Sequence, residues 1–187
     1  MQNCQKAFVL SLKDPKPLFM KNRNLTALLV LAMIPALYSH GQNDAVELQK
    51  LIGKFYDVLS FSDTTTLKLD SLPAFFTRDG KLVAAFGKDI TTWTAPEFVG
   101  FIRKSIPAQG ITSRSEKELF EKTEWFGNIA HVFSTYELTV QAKGQKITRR
   151  GINSIQLVKQ NDNWNIISLT WDREGDSLKL PSKYLHD

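Results

Sequence analysis

The sequence predicts an α+β domain in which helices come first and an antiparallel sheet follows. Two observations carry this. From Trp125 to Trp171 the chain shows three runs of period-two alternation joined by short polar turns, the pattern of half-buried strands. Upstream, two segments repeat apolar residues at spacings of three and four, the pattern of helices with one buried stripe.

The first run, Asn128 to Val140, sets Ile129, His131, Phe133 and Thr135 against Ala130, Val132, Ser134 and Tyr136. Ala142-Lys143-Gly144-Gln145 then turns the chain into a second run, Ile147 to Lys159, and Gln160-Asn161-Asp162-Asn163 turns it into a third, Trp164 to Asp172. Turns this short permit only antiparallel neighbours, since a parallel crossover needs about a dozen residues or more. Uninterrupted alternation along the last run puts Trp164, Ile166, Ser168, Thr170 and Asp172 on one face, and Ile167, Leu169, Trp171 and Arg173 on the other.

In chain order, Val46 to Leu59 is the first helix, with Leu48, Leu51, Ile52, Phe55, Val58 and Leu59 as its stripe and Asn43-Asp44 as candidate caps. Ser62-Asp63-Thr64 can cap a second short helical stretch through Leu67, Leu69 and Leu72. Arg78-Asp79-Gly80 signals a turn, and Lys81 to Phe86 a first strand. Thr94-Ala95-Pro96-Glu97 supplies an N-cap, a first-turn proline and an early acid, which starts a third helix, Pro96 to Ser105, ended before Pro107. Gln109-Gly110 leads into a long strand-like run from Ile111 to Phe126, and Glu174 to Asp187 reads as a polar tail that drapes over the surface or frays.

The net charge of +5 belongs mainly to the first 41 residues, which hold Lys6, Lys13, Lys16, Lys21 and Arg23 against Asp14 alone. The remaining 19 basic and 18 acidic residues nearly balance, so charge gives no argument for nucleic-acid binding. Lys21-Asn22-Arg23, the apolar Leu25 to Leu37 and the small residues of Ser39-His40-Gly41 form a secretory signal over 20–41, with cleavage expected before Gln42. The alternative is a membrane anchor, but thirteen apolar residues interrupted by Pro35 fall short of the roughly 20 that span a bilayer. Residues 1–19 read as an upstream extension or a start placed too early, with translation beginning at Met20. A periplasmic or secreted protein without stable membrane insertion is expected. Beyond Cys4 no cysteine remains, which excludes disulfides and thiol chemistry from the domain.

The order and spacing of several segments resemble the nuclear transport factor 2-like superfamily, which includes SnoaL-like and ketosteroid isomerase-like domains. They are Phe75-Phe76-Thr77-Arg78-Asp79-Gly80 before the first strand, Gly127-Asn128-Ile129-Ala130 opening a hairpin, Arg150-Gly151 early in a strand, and Trp164 to Trp171 at the end. The resemblance covers 44–173. It implies a cone-shaped, cystatin-like α+β fold, with three N-terminal helices packed on a curved antiparallel sheet, a pocket at the open end, and a homodimer through the sheet's outer face. Such a fold does not fix an activity. Ketosteroid isomerases carry an aspartate base after the first strand. The matching segment here is Val83-Ala84-Ala85-Phe86-Gly87, with Ala84 at that place, and alanine cannot move a proton.

The candidate acid–base residues are His131, Asp172 and Glu124. His131 could serve as a base if its face lines the pocket, or be satisfied by a neighbouring partner. Asp172 ends the last strand, where a surface ion pair with Arg150 or Arg173 competes with catalysis. Glu124 shares a face with Phe120 and Phe126, as a buried acid or an exposed edge residue. Tyr56, Trp93, Trp125, Tyr136 and Trp171 are the candidate pocket residues, although large aromatics also serve as plain packing. Lys143, Lys146, Arg149 and Arg150 read as a solvated basic face. The sequence has no phosphate loop, no Ser–His–Asp order and no two-His metal spacing, and with only His131 and His186 past the leader no histidine-rich metal site. No cofactor or metal is expected. The first functional expectation is a small-apolar-ligand-binding or partner-interaction module. The alternative is a cofactor-independent lyase, isomerase or hydrolase using His131 with Asp172 or Glu124.

Overall fold

Six strands form one sheet in the order β2-β1-β6-β5-β4-β3. The computed structural model describes residues 26–86 and 88–185, with side chains from Asn43 onward. The extension 1–19, the stretch Lys21-Asn22-Arg23, Gly87 and His186 lie outside the described residues. Two units divide between His40 and Gly41; the sheet belongs to the second. Among the described residues no helix is long and apolar enough to cross a membrane.

The strands are β1 (Phe76–Phe86), β2 (Asp89–Thr94), β3 (Ile111–Phe126), β4 (Ile129–Ala142), β5 (Gln145–Gln160) and β6 (Asn163–Arg173). The last four form the expected antiparallel meander. Its tight turns use the left-handed backbone that two-residue hairpins require: Lys143 and Gly144 at φ 51° and 76°, Asn161 and Asp162 at φ 51° and 60°. The sheet is not wholly antiparallel, however. Strand β1 pairs in parallel with β6, Leu82 opposite Leu169 and Ala84 opposite Trp171. That pairing joins segments far apart in sequence, where no turn signal marks the partner. β2, which pairs with the outer edge of β1, was not expected either. Its alternating side chains are largely exposed, so it lacks the apolar period of a buried strand.

Helix α1 runs Thr26–Leu59, longer than the expected Val46–Leu59. Asn43 and Asp44 therefore lie inside it and cap nothing; the Asp44 carboxylate instead accepts from Lys159 Nζ at 2.5 Å and Trp164 Nε1 at 3.3 Å. The expected second helix is two 3-10 turns, Thr64–Thr66 and Leu69–Phe75, with Asp63 capping the first at the Thr65 N–H, 2.8 Å. Helix α2 (Ala95–Gln109) begins with a reciprocal capping box: Thr94 N–H donates to Glu97 Oε2 at 2.7 Å and Glu97 N–H to Thr94 Oγ1 at 3.4 Å. It runs through Pro107 rather than stopping before it. In the last turn the missing N–H forfeits one bond only, and Gly110, left-handed at φ 65°, ends the helix by donating to Pro107 O at 3.1 Å.

Leu48, Ile52 and Phe55 of α1, Phe98 and Ile102 of α2, and Leu69 and Leu72 between them are buried with the inward side chains of the sheet. On β6 the expected alternation fails. Leu157 pairs with Ile166 and Gln156 with Ser168, so Ile167 is an extra, bulged residue. Trp164 and Ile166 before the bulge, and Leu169 after it, are buried, while Ile167 is 40% exposed. The bulge thus keeps Trp164, Ile166, Leu169 and Trp171 on the helix-covered face, where strict period two would have split them.

The opposite face is partly covered by the tail. Tyr184 packs on Phe133 and Phe120 at ring separations of 5.1 and 6.0 Å, and its carbonyl accepts from buried Thr135 Oγ1 at 2.7 Å.

Candidate functional site

Inward positions of five strands and the facing sides of both helices leave space between them. The walls are apolar: Phe55 and Leu59 from α1, Phe98, Phe101 and Ile102 from α2, Leu82 and Phe86 from β1, Leu169 and Trp171 from β6. They enclose about 170 Å³. A second cavity of about 250 Å³ lies between the C-terminal half of α2 and the ends of β3, β4 and β5. Phe101, Ile102, Leu138, Arg114, Arg149 and Arg173 line both. Each cavity alone is smaller than the roughly 300–1,000 Å³ usual for small-molecule sites, and the two adjoin at these shared residues.

Of the polar residues, Arg114, Arg149 and Arg173 line both cavities, and Glu116, Tyr136 and Asn153 line the first alone. Arg114 on β3 forms an ion pair with Glu116, with only 16% and 7% of the two side chains exposed. The segment after α1 fixes that stretch of β3. Phe61 and Arg114 exchange backbone hydrogen bonds of 2.7 and 2.9 Å, and Glu116 N–H donates to Ser60 Oγ at 2.9 Å. Arg114 Nε is buried without a hydrogen-bond partner among the described residues. The Arg173 guanidinium lies 4.4 Å from the centre of the Phe86 ring, and Arg149 is exposed. Neither Arg149 nor Arg173 has a carboxylate partner among the described residues, whereas Arg150, on the other face, pairs with Glu174 at 2.9 Å. Burial raises the Tyr136 phenol above its ordinary range, with the Glu116 charge adding to it, so its hydroxyl meets the cavity as a neutral group.

Asn153, also in the wall, begins a hydrogen-bond chain that leads away from it. Its Nδ2 donates to Tyr56 Oη at 2.9 Å; Tyr56 and Ser134 hydroxyls lie 2.7 Å apart; Ser134 Oγ donates to Glu118 Oε1 at 2.5 Å. Since Ser134 gives its proton to Glu118, Tyr56 must donate to Ser134. Glu118 shares the inward face with Glu121 because Leu119 is an extra residue in β3, between the pairs Glu118–Tyr136 and Phe120–Thr135. Burial pushes the Glu118 carboxyl up to about 7; the hydrogen bond from Ser134 works against this and Glu121 reinforces it.

Of the residues singled out from sequence, Tyr136 and Trp171 line the first cavity. Trp93 stacks behind Trp171 at 6.0 Å and 20°. Tyr56 sits one hydrogen bond behind the wall. Trp125 is at the far end of the β3–β4 hairpin, 39% exposed beside Phe126 and Ile129. His131 and Glu124 are cross-strand neighbours on the face away from the helices. His131 Nε2 lies 3.1 Å from Ser154 Oγ, and Glu124 pairs with Lys122 at 2.9 Å. Asp172 is two strands away; its Oδ1 accepts from Arg173 N–H at 2.7 Å, and it borders a small recess under the tail. His131 and Glu124 are thus side by side and Asp172 is apart from both, and none of the three is among the residues lining the two cavities. Ala84 is buried between Thr91 and Trp171.

Arg114, Glu116, Asn153 and Arg173 were not singled out, and Arg149 was read as part of a solvated face. Alternation carried the signal for two of them. Gly151, Asn153, Ile155 and Leu157 are all buried on β5, and the same parity extends to Arg149.

No protein-family model matches the chain, and no curated protein matches it in sequence. Its backbone is similar to several solved structures. An NTF2-like protein with a cystatin-like fold from Novosphingobium aromaticivorans superposes with a TM-score of 0.60 at 14% identity, over 82% of this chain and 92% of that one. A candidate scytalone dehydratase from the same organism gives 0.59 at 11% identity, over 74% and 89%. The protein LinA gives 0.59 at 10% identity, over 75% and 95%. At such identities the likeness concerns the backbone, and with the order of elements described above it establishes that the chain has the nuclear transport factor 2-like, cystatin-like α+β fold.

Proposed function

We propose that the protein binds a small, largely apolar ligand in the paired cavities beneath α2. The observation that carries this reading is the make-up of the walls: aromatic and aliphatic side chains over most of the surface, with a few Arg, Glu, Tyr and Asn side chains among them. Sites for small molecules have this make-up, apolar for affinity and sparingly polar for orientation. The test is titration with decanol, a neutral apolar probe, followed by tryptophan fluorescence, since Trp171 is in the wall. Saturable quenching that is lost in Leu138→Trp, which fills the junction, supports the reading. Absence of saturation with decanol and with charged decyl compounds alike overturns it.

A second reading is favoured by one observation. The chain from Asn153 to Glu118 links the cavity wall to a carboxyl that titrates near neutrality, as acid–base catalysis requires. In this reading the protein is a cofactor-independent enzyme in which Glu118 sets the protonation of the hydrogen-bonded Ser134 and Tyr56 hydroxyls behind the wall. The Asn153 amide, which only donates a hydrogen bond, orients them and carries no proton.

Export belongs to the same proposal: a ligand-binding protein released by cleavage before Gln42 into the periplasm or medium. The intact mass of protein recovered from a Gram-negative periplasm decides this, a chain beginning before Gln42 counting against it. Dimerisation through the outer face of the sheet would use the part that Tyr184 and the tail leave open.

A further inference from the structure

We propose that the ligand is an amphipathic anion, a carboxylate on an apolar chain or ring, whose head group is held by Arg114, Arg149 and Arg173. This rests on the reading of the paired cavities as a ligand site, and names what that site selects.

The three arginines come from three strands, and each lines both cavities. Only one faces a carboxylate: Glu116 pairs with Arg114, which leaves the junction with a surplus of two positive charges among the described residues. Like charges gathered beside an apolar cavity repel one another; solvent limits that cost at exposed Arg149, and it is larger at half-buried Arg173. A bound anion removes that cost. The pairing with Glu116 also leaves Arg114 Nε buried and without an acceptor. A buried donor without a partner is rare in a folded protein and asks for an unplaced group. The guanidinium fork suits the two oxygens of a carboxylate, and the Tyr136 hydroxyl, kept neutral by burial, can add a donor. The apolar remainder of the ligand would lie along Phe55, Leu82, Phe98 and Trp171 in one cavity, or along Ile106 and Val140 in the other.

Binding of decanoate and decanol to the whole protein, compared by calorimetry at low and moderate salt, tests this. Decanoate is expected to bind at least ten-fold more tightly than decanol, with an advantage that shrinks as salt rises. In the double variant R149Q/R173Q the ratio of the two affinities should fall to three-fold or less, with an unchanged circular-dichroism spectrum and a cooperative melt showing that the variant is folded. Equal affinity of the two probes in the unsubstituted protein, or an advantage that survives the double substitution, overturns the head-group site and leaves the apolar cavity standing. Failure of both probes to bind overturns the cavity reading and this inference together.

Discussion

Gly151 lies against the ring of Tyr136 so closely that a Cβ added there would meet the Tyr136 hydroxyl at 2.6 Å and its Cε1 at 2.8 Å. The same Cβ would stand 2.2 Å from the backbone oxygen of Asp172 on the next strand. Both contacts are far inside van der Waals range, and the second is to backbone, which cannot rotate aside. This is why the residue after Arg150 is glycine: its missing side chain makes room for the tyrosine that lines the cavity. Gly151→Ala should lower stability by about 1–3 kcal/mol, read as a shift in the denaturant midpoint. Adding Tyr136→Phe removes only the hydroxyl contact, so the double variant should recover little. Full recovery would mean that the Asp172 backbone is not the obstacle.

Tyr56 holds together a chain that is buried at Ser134 and Asn153. Tyr56→Phe keeps the ring and deletes one donor and one acceptor, leaving Asn153 Nδ2 and Ser134 Oγ each short of a partner. A cost of about 1–3 kcal/mol is expected, with Ser134→Ala costing a similar amount because it also breaks two bonds, to the Tyr56 hydroxyl and to Glu118 Oε1. Equal stability of Tyr56→Phe and the parent protein would show that water replaces the lost hydroxyl.

The parts of this fold that were legible in the sequence are those set by neighbours along the chain. The φ-positive turns at Lys143-Gly144 and Asn161-Asp162, the capping box of Thr94 and Glu97, and the alternation of β4 and β5 all depend on local sterics and hydrogen bonding. What was not legible depends on pairing at a distance. The parallel contact of β1 with β6 has no local signature, and the bulge at Ile167 reverses the face of every later residue on β6, which misassigned Trp164 and Ile166 relative to Trp171. The site suffered most. Arg114 and Glu118 lie on β3, where extra residues at Thr112 and Leu119 interrupt the alternation, so counting by twos along that strand cannot say which charges turn inward. Arg149 is the exception, on the inward parity of an unbroken strand.

The tail is held at its start by Glu174, which pairs with Arg150, and at its far end by one polar contact. Thr135 is fully buried and donates to the Tyr184 carbonyl, a bond that Thr135→Val deletes with almost no change of shape. Loss of about 1 kcal/mol is expected. Limited proteolysis should then cut faster between Glu174 and Leu185, where Lys179 and Lys183 are available to trypsin. An unchanged cleavage rate would assign the docking to the stacking of Tyr184 on Phe133 instead.

Glu118 makes stability depend on pH in a direction unusual for a carboxylate. Its folded-state value of about 7 lies above the ordinary 4.5 because burial disfavours the charged form, so the native protein binds more protons than the unfolded chain between these values. Stability should therefore fall as pH rises from about 4.5 to 7 and level off above. The shift would be worth some 3 kcal/mol for a fully buried group; partial solvent contact reduces this to roughly 1–2 kcal/mol. Glu118→Gln keeps an oxygen to accept from Ser134 and has no charge to bury. It should gain stability relative to the parent at pH 8, while the two differ little at pH 4.5. Denaturation midpoints of both proteins across this range test the point. A constant difference between them at all pH values would mean that Glu118 takes up its proton at the same pH in the folded protein as in the unfolded chain, as an ordinary carboxylate does.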